Sequence, residues 1–169
     1  MPSMTTVGIL GLGQIGGSLA AALTGRRLAR VIGVTRRAET ARRAKAMGLL
    51  ASAGTDLAAL ADADIVVLAT PVRTLLRQIP EVVSRVRPEA LLTDVGSTKT
   101  EVLSALRAAR PAGPVVAGHP MAGNERAGLD GVDPDLFVNR PWVLIPARRE
   151  DRSRARTFER LLKAVGAVR

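Results

Sequence analysis

The chain has 169 residues, 47% of them hydrophobic, which suits one ordinary domain with a buried core and excludes a disordered chain. It has no cysteine, which excludes a disulfide scaffold, a cysteine-based zinc site and a thiol nucleophile. The apolar runs are too short for a transmembrane helix, and the N-terminus has no secretory signal pattern. We therefore expect a cytoplasmic protein without a membrane partner.

The net charge of +10 makes nucleic-acid binding an alternative that has to be weighed. Most of the 25 basic residues are arginines in a chain that is also rich in Ala, Gly and Pro, a bias that a GC-rich coding sequence would give. Nucleic-acid-binding surfaces usually interleave basic residues with aromatic ones, whereas this chain has only two Phe, one Trp and no Tyr. We therefore expect no nucleic-acid partner.

The first half of the chain alternates short apolar runs with segments of helical spacing. Thr5–Leu10 is an apolar run that ends in a glycine cluster, which predicts a buried strand. The predicted elements that follow are a helix over Gln14–Leu23 with Gly25 as its C-cap, a strand over Val31–Val34, a helix over Glu39–Met47 and a short helix over Asp56–Leu60.

The second half continues the alternation. Asp64–Ala69 is the clearest strand because it is β-branched and uncharged after its first residue. The other predictions are a helix over Leu75–Val86 with a potential kink at Pro80, strands over Ala90–Asp94, Val115–Ala117 and Trp142–Ile145, and helices over Thr100–Ala109 and Asp151–Val165.

This alternation predicts a parallel sheet with helices on both faces, a doubly wound α/β fold. Residues 1–169 are expected to form one domain. The last residues, Gly166-Ala167-Val168-Arg169, stand where a further strand is expected, so we interpret the domain as truncated before its last strands.

The segment Gly11-Leu12-Gly13-Gln14-Ile15-Gly16 fits the pattern G-x-G-x-x-G between the first strand and the first helix. In a dinucleotide site Gly11 makes the tight turn, Gly13 lets the backbone approach the pyrophosphate, and Gly16 allows close packing of helix on strand. The helix N-terminus adds N–H groups and a positive dipole. The alternative is a glycine-rich turn that binds no ligand.

The end of the second strand bears on the choice of cofactor. NAD-binding domains commonly place an acidic residue there to bind the ribose 2′-hydroxyl, but this position is Thr35, followed by Arg36 and Arg37. An arginine can pair with a 2′-phosphate, and no carboxylate is present to repel it. The sequence therefore favours NADP over NAD, unless the two arginines are merely the solvated start of the next helix.

Ligands of open α/β sheets bind outside the carboxyl ends of the strands, so the segments after the later strands are candidates for chemistry. One is Ala69-Thr70-Pro71. A second contains Ser97 and Lys99, which could equally be an N-cap and first-turn residue of the following helix. The third contains His119, the single histidine, which we predict to be functional instead of structural because of its topological position.

At these residues the sequence resembles the prephenate and arogenate dehydrogenases of tyrosine biosynthesis. The resemblance is carried by Val7–Gly17 (VGILGLGQIGG), Leu92–Glu101 (LTDVGSTKTE) and Gly118–Gly128 (GHPMAGNERAG), and it continues through Phe137–Pro146. The first stretch is shared with other dehydrogenases, such as 3-hydroxyacid dehydrogenases and imine reductases, but the GHPMAG stretch is not.

The resemblance implies a Rossmann-type dinucleotide-binding domain and an oxidative decarboxylation. Hydride leaves C4 of prephenate for the nicotinamide of NAD(P)⁺, carbon dioxide leaves C1, and 4-hydroxyphenylpyruvate forms; arogenate would give tyrosine directly. His119 matches the family's catalytic base, which would accept the hydrogen bond of the C4 hydroxyl, and Ser97 matches the serine that helps to orient His119 and the substrate hydroxyl. Glu125 matches an acidic residue at the mouth of the active site, and Ala69, Thr70 and Pro71 would line the nicotinamide.

The family also has a C-terminal helical domain that dimerises and binds the substrate carboxylate, and nothing in this chain matches it. We therefore expect a homodimer only for the complete protein, and cofactor binding with poor turnover for this chain alone. No metal ligands are predicted. The alternative of another class is a non-catalytic dinucleotide-binding module, which would not need Ser97 and His119 together at strand ends.

Overall fold

Uncharged, β-branched runs form the centre of a seven-stranded sheet. The computed structural model describes residues 4–109 and 113–168. Its strands lie in the order β3-β2-β1-β4-β5-β6-β7. Their bounds are β1 Thr6–Leu10, β2 Arg30–Val34, β3 Ser52–Gly54, β4 Ile65–Leu68, β5 Leu91–Asp94, β6 Val115–Pro120 and β7 Trp142–Pro146.

Helices cover both faces of this sheet, so the predicted doubly wound α/β fold is confirmed. One core contains side chains of α1 and α6, and the other contains side chains of α3 and α4. The helices are α1 Gln14–Gly25, α2 Ala38–Ala46, α3 Val72–Arg85, α4 Thr100–Ala109, α5 Asp151–Arg154 and α6 Arg156–Ala164, with 3₁₀ turns at Leu57–Leu60 and Gly128–Gly131.

The first six strands are parallel, but β7 runs antiparallel to β6. The prediction of a wholly parallel sheet is therefore wrong at its last strand. The reason is the connection, because β6 and β7 are joined by a long loop with one 3₁₀ turn instead of a crossover helix. Pairing with β7 also extends β6 to Pro120, whereas the sequence predicted an end at Ala117.

Several helix boundaries differ from prediction. Gly25 is the last residue of α1 and not its C-cap, a position that Arg26 takes; Arg27 then adopts a positive φ of 54°. The predicted helix 56–60 is a 3₁₀ turn in which the Asp56 carboxylate accepts a hydrogen bond from the Ala58 N–H. The predicted last helix is divided at Ala155 into α5 and α6. Pro80 lies inside α3.

The far edge of the sheet is closed by three aromatic rings. Trp142 at the start of β7 lies between Phe137 and Phe158, with ring centroids 5.0 Å and 5.9 Å away. All three are buried, so they fix α6 against β7. Beyond them Val168 forms a single parallel bridge with Pro141, at the position where the sequence predicts that a further strand begins.

Candidate active site

The strand order reverses between β1 and β4, because the chain first adds strands on one side of β1 and then on the other. In doubly wound sheets the crevice at this switch point, outside the carboxyl ends of the strands, is where ligands bind. The parallel pairing places the ends of β1, β4, β5 and β6 along one edge. All predicted site segments follow these strands or β2.

The glycine loop has the geometry of a phosphate cradle. Gly11 adopts a φ of +102°, and a Cβ there would stand 2.7 Å from the Ala69 carbonyl group. A Cβ at Gly16 would stand 2.0 Å from the Gly11 oxygen, so α1 can pack this closely on the loop only without a side chain. By contrast, a Cβ at Gly13 would meet nothing within 4 Å.

The open side of Gly13 therefore faces space that a ligand can fill. Gly13 is the N-cap of α1, no side chain caps its first turn, and that turn has no acidic residue. The first-turn N–H groups, which belong to Gln14, Ile15 and Gly16, have no intrahelical acceptor. Leu12, by contrast, is buried and packs its side chain into the core. The residues present thus fit a phosphate at this turn.

Thr35 lies at the end of β2, beside the glycine loop. Its N–H donates to the Gly54 carbonyl at 3.0 Å, and the Gly11 N–H donates to the Val34 carbonyl at 2.8 Å. Arg36 and Arg37 follow on the surface, and within the described part of the chain neither guanidinium has a hydrogen-bond or ion-pair partner. Both are free to pair with an anion at this edge.

The segment after β4 lies against the glycine loop. The Ala69 N–H donates to the Leu10 carbonyl at 2.7 Å, and Pro71 is the N-cap of α3, a position that needs no N–H donor. The Thr70 hydroxyl donates to Gln78 Oε1 of α3 at 2.8 Å. This segment is therefore fixed from both sides and presents a rigid wall beside Gly11.

A buried carboxylate clamps the ends of β5 and β6 together. Asp94, fully buried, accepts hydrogen bonds from the Gly96 N–H at 2.9 Å and the Gly118 N–H at 3.0 Å. The Lys99 ammonium donates to Asp94 Oδ2 and to the Gly118 carbonyl. Both polar groups of Gly118 are thus held, and the next residue is His119.

The clamp puts His119 and Ser97 at the ends of neighbouring strands. His119 is partly buried, and its Nδ1 is buried without a hydrogen-bond partner among the described residues. Ser97 is exposed three residues after β5. It is not the N-cap of α4, because Lys99 immediately precedes that helix and its carbonyl accepts from the Leu103 N–H at 2.8 Å. The Ser97 hydroxyl is left for another role.

Glu125 is exposed in the loop that follows β6. This loop crosses the N-terminal half of α1, where the Gln14 side chain is hydrogen-bonded to Asn124 and Arg126. The sequence placed Gln14 among the cofactor-binding residues; the structure shows that its amide is engaged by the loop, while its backbone remains in the first turn of α1.

Sequence reasoning did not assign a role to Asp94, or to the side chain of Lys99 beyond the start of a helix. A signal was present, since a carboxylate that ends a buried strand needs a partner and a lysine follows five residues later. Among the residues that the structure describes, no cluster of three or more metal-ligating side chains is found. In that same part of the chain, no helix is long and apolar enough to span a bilayer.

A family model described as "Prephenate dehydrogenase, nucleotide-binding domain" matches residues 19–169. The prephenate dehydrogenase of Bacillus subtilis (strain 168) is 34% identical over 166 residues, which cover 96% of this chain and 45% of that protein.

Two solved structures share the fold closely. The arogenate dehydrogenase of Synechocystis has a TM-score of 0.91 and 35% identity, covering 97% of this chain and 58% of that one. The prephenate dehydrogenase of A. aeolicus, in complex with hydroxyphenyl propionate and NAD⁺, has a TM-score of 0.89 and 29% identity, covering 98% and 59%. The chain thus spans about half the length of the relatives that it matches.

Proposed function

Because the chain belongs to the prephenate dehydrogenase family, whose nucleotide-binding domain it matches, we propose that it binds NADP and supplies the base for the oxidative decarboxylation of prephenate to 4-hydroxyphenylpyruvate. The observation that carries the proposal is the shared edge of the sheet. There a glycine loop that is open at Gly13 follows β1, and a clamped histidine lies at the end of β6 in the same parallel set.

The proposed dinucleotide site combines the uncapped first turn of α1 with the segment that follows β4. The first turn of α1 and Gly13 would hold the pyrophosphate, while Ala69, Thr70 and Pro71 would line the nicotinamide. When bound, the nicotinamide supplies the hydride acceptor for C4 of the substrate. The relative of known structure from A. aeolicus binds NAD⁺, which supports a nicotinamide dinucleotide as the ligand.

We assign His119 as the base and Ser97 as its orienting partner. A catalytic base has to receive the proton of the C4 hydroxyl as hydride and carbon dioxide leave, and an imidazole is suited to that at neutral pH. Nδ1 of His119 is buried without a partner. We assign this nitrogen to the Ser97 hydroxyl, which leaves Nε2 to face the substrate. The Asp94 clamp keeps the ring in place by holding Gly118.

Glu125 is proposed to stand at the entrance of the substrate site, on the loop that begins after β6. It is exposed and has no hydrogen-bond partner in the described ranges, so its carboxylate is available to an incoming ligand. Prephenate is proposed because the B. subtilis relative is a prephenate dehydrogenase. Arogenate is the second candidate, favoured by the likeness to the Synechocystis arogenate dehydrogenase.

The preference for NADP rests on the end of β2. Thr35 replaces the usual carboxylate, and the exposed Arg36 and Arg37 have no partner within residues 4–109 and 113–168. A 2′-phosphate at this edge would gain charge-assisted hydrogen bonds that a 2′-hydroxyl cannot match.

The proposed function is tested by titrating the chain with NADPH and with NADH and following nicotinamide fluorescence at near-physiological salt. We expect both to bind and NADPH to bind more tightly. Tighter binding of NADH would overturn the cofactor preference and leave the dinucleotide site in place. If neither ligand bound, the proposed function would be wrong.

The same proposal extends to the setting of the protein. We propose a cytoplasmic enzyme with a small-molecule substrate, no nucleic-acid or membrane partner, and a homodimeric state for the complete protein. A family that acts on a water-soluble biosynthetic intermediate supports the first two of these statements.

A further inference from the structure

We propose that Gln14 is a positioning residue that couples the dinucleotide site to the loop of residues 121–131, called here the β6–β7 loop. This inference rests on the proposed function, because it takes the first turn of α1 to be the phosphate site. Gln14 is the first residue of α1. Its backbone forms part of that turn, and its side chain is hydrogen-bonded to the loop.

The contacts converge on one amide. Gln14 Nε2 donates to the Asn124 carbonyl at 3.0 Å, to the Arg126 carbonyl at 2.6 Å and to Asn124 Oδ1. In return, the Asn124 N–H donates to Gln14 Oε1 at 3.3 Å. A side-chain amide has two N–H groups and one oxygen, and in Gln14 both the NH₂ group and the oxygen are hydrogen-bonded to this loop.

Asn124 connects Gln14 to the rest of the loop through further hydrogen bonds. Its Oδ1 accepts from the Arg126 N–H at 3.0 Å, and its Nδ2 donates to the Gly131 carbonyl at 3.1 Å. A Cβ at Gly131 would stand 2.8 Å from Gln14 Nε2, so the far end of the loop also closes on Gln14. Two distant segments of the chain are thus joined through two side chains.

The loop has further anchors on the same layer of helices. The Asp130 carboxylate within the loop pairs with Arg43 of α2, and just beyond the loop the Asp133 N–H donates to the Ser18 hydroxyl of α1 at 3.0 Å. These contacts lie beyond residue 127, whereas Glu125 sits between Asn124 and Arg126. Gln14 is therefore the contact that places Glu125 relative to the helix N-terminus.

Coupling follows from this arrangement. A dinucleotide phosphate bound to the first-turn N–H groups restricts the backbone of Gln14, and a fixed backbone presents its amide to the loop at lower entropic cost. Dinucleotide binding is thus expected to reduce opening of the β6–β7 loop. By thermodynamic reciprocity, a loop that is held in place favours the bound dinucleotide by the same factor.

The test is amide hydrogen exchange on the 169-residue chain, with and without saturating NADPH. Gln14→Glu keeps the length of the side chain but replaces its N–H donors with a carboxylate that faces three oxygens. We expect exchange of the Arg126 amide to accelerate at least about tenfold in the free variant, the scale of one or two lost hydrogen bonds. Asn139→Asp makes the same amide-to-acid change later in the connection between β6 and β7, outside residues 121–131, and is expected to leave that rate within about twofold.

In the unmodified chain, NADPH is expected to slow exchange of the loop amides several-fold, and in Gln14→Glu this slowing should disappear. Asn124→Ala breaks the same contact from the other side, and combining it with Gln14→Ala should give less than the product of the two separate effects. Unchanged loop exchange in Gln14→Glu would overturn the proposal, as would NADPH slowing that persists in the variant.

The two proposals fail in different ways. If NADPH did not bind the unmodified chain, the proposed function would be wrong and with it the coupling. If NADPH bound but the loop amides exchanged at the same rate with and without it, the dinucleotide site would stand and only the coupling would be wrong.

Discussion

At the scale of single residues, the chemistry of the site depends on what each polar atom finds as a partner. His119 is the only histidine of the chain. Its Nδ1 is buried without a partner in the described structure, although the N–H and the carbonyl of the preceding residue, Gly118, are both hydrogen-bonded. A well-fixed backbone that carries a side chain with an unmet hydrogen bond is typical of a site that awaits a ligand or an induced partner.

His119→Asn tests this assignment. The asparagine retains hydrogen-bonding capacity but cannot accept a proton near neutral pH, so in a complete enzyme of the relatives' length we expect turnover to fall by about two to four orders of magnitude. Steady-state rates with prephenate give this number. The affinity for NADPH should stay within about twofold; a large loss of that affinity would mark His119 as structural.

Arg36→Ala tests the proposed contact with the 2′-phosphate. Removing a charge-assisted partner should weaken NADP binding by about 1–3 kcal/mol and leave NAD binding nearly unchanged. Fluorescence titration of the chain with both reduced cofactors measures the difference. Arg42 is likewise exposed but lies on α2, so Arg42→Ala serves as the control for the loss of one positive charge. Equal losses for the two cofactors would refute the assignment.

Asp94→Asn tests the clamp between β5 and β6. The asparagine is nearly isosteric, but its NH₂ group has to face a donor and it leaves the Lys99 ammonium without a counter-charge in a mostly buried position. We expect a loss of about 3–5 kcal/mol in the free energy of unfolding, the range for breaking one partner of a buried pair. Urea denaturation measures it, and a loss below about 1 kcal/mol would mean that the clamp does not stabilise the fold.

At the scale of elements, the glycine loop separates folding from binding, because its glycines have different surroundings. A Cβ at Gly16 would clash with the backbone at Gly11, whereas a Cβ at Gly13 would meet only open space. Gly16 is therefore required by the fold, and we propose that Gly13 is required by a ligand.

Gly13→Ala and Gly16→Ala are therefore expected to affect different properties, the first ligand affinity and the second stability. Gly13→Ala should leave the melting temperature nearly unchanged and reduce NADPH affinity at least about tenfold, since the methyl group fills the space where the pyrophosphate is expected. Gly16→Ala should destabilise the fold by about 1–3 kcal/mol, as overpacking does. Thermal unfolding and NADPH titration of both variants measure the two effects. Unchanged NADPH affinity in Gly13→Ala would move the phosphate site elsewhere.

The elements that the sequence predicted well are those with a strong local pattern. β4 was placed within one residue because it is an uncharged β-branched run, and α4 was placed by its position between two clear strands. The strand β3, Ser52–Gly54, was missed because its three small residues carry no periodic pattern and it forms only by pairing with β2.

Features made by contacts distant in sequence were beyond local reasoning. The end of β6 depends on its antiparallel partner β7, and the direction of β7 depends on the path of the loop between them. The motif residues themselves were found from spacing and resemblance. The role of the Gln14 side chain depends on Asn124, 110 residues away, and no pattern around Gln14 could show it.

At the scale of the whole molecule, the chain supplies one side of a proposed active site. It spans 45% of the B. subtilis relative, and the substrate carboxylates have no assigned partner among the residues that the structure describes. The net charge of +10 favours binding of an anionic dinucleotide without specifying a partner.

We therefore expect the purified 169-residue chain to bind NADPH and to oxidise prephenate slowly or not at all. The reason is that binding energy from the substrate carboxylates is needed to hold the ring beside His119, and their partners are expected in the helical domain of the family. A spectrophotometric assay of nicotinamide reduction measures the rate. Robust turnover by a chain of verified mass would contradict this expectation.

The position of Trp142 also has an optical consequence. It is the only tryptophan of the chain, its indole is buried between two phenylalanines, and it pairs with Pro120 directly beside His119. Its emission overlaps the absorption of a reduced nicotinamide, so a dinucleotide in the proposed site would quench it by resonance energy transfer. The protein thus carries its own donor fluorophore next to the proposed reaction centre, and occupancy can be recorded at a single wavelength without a label.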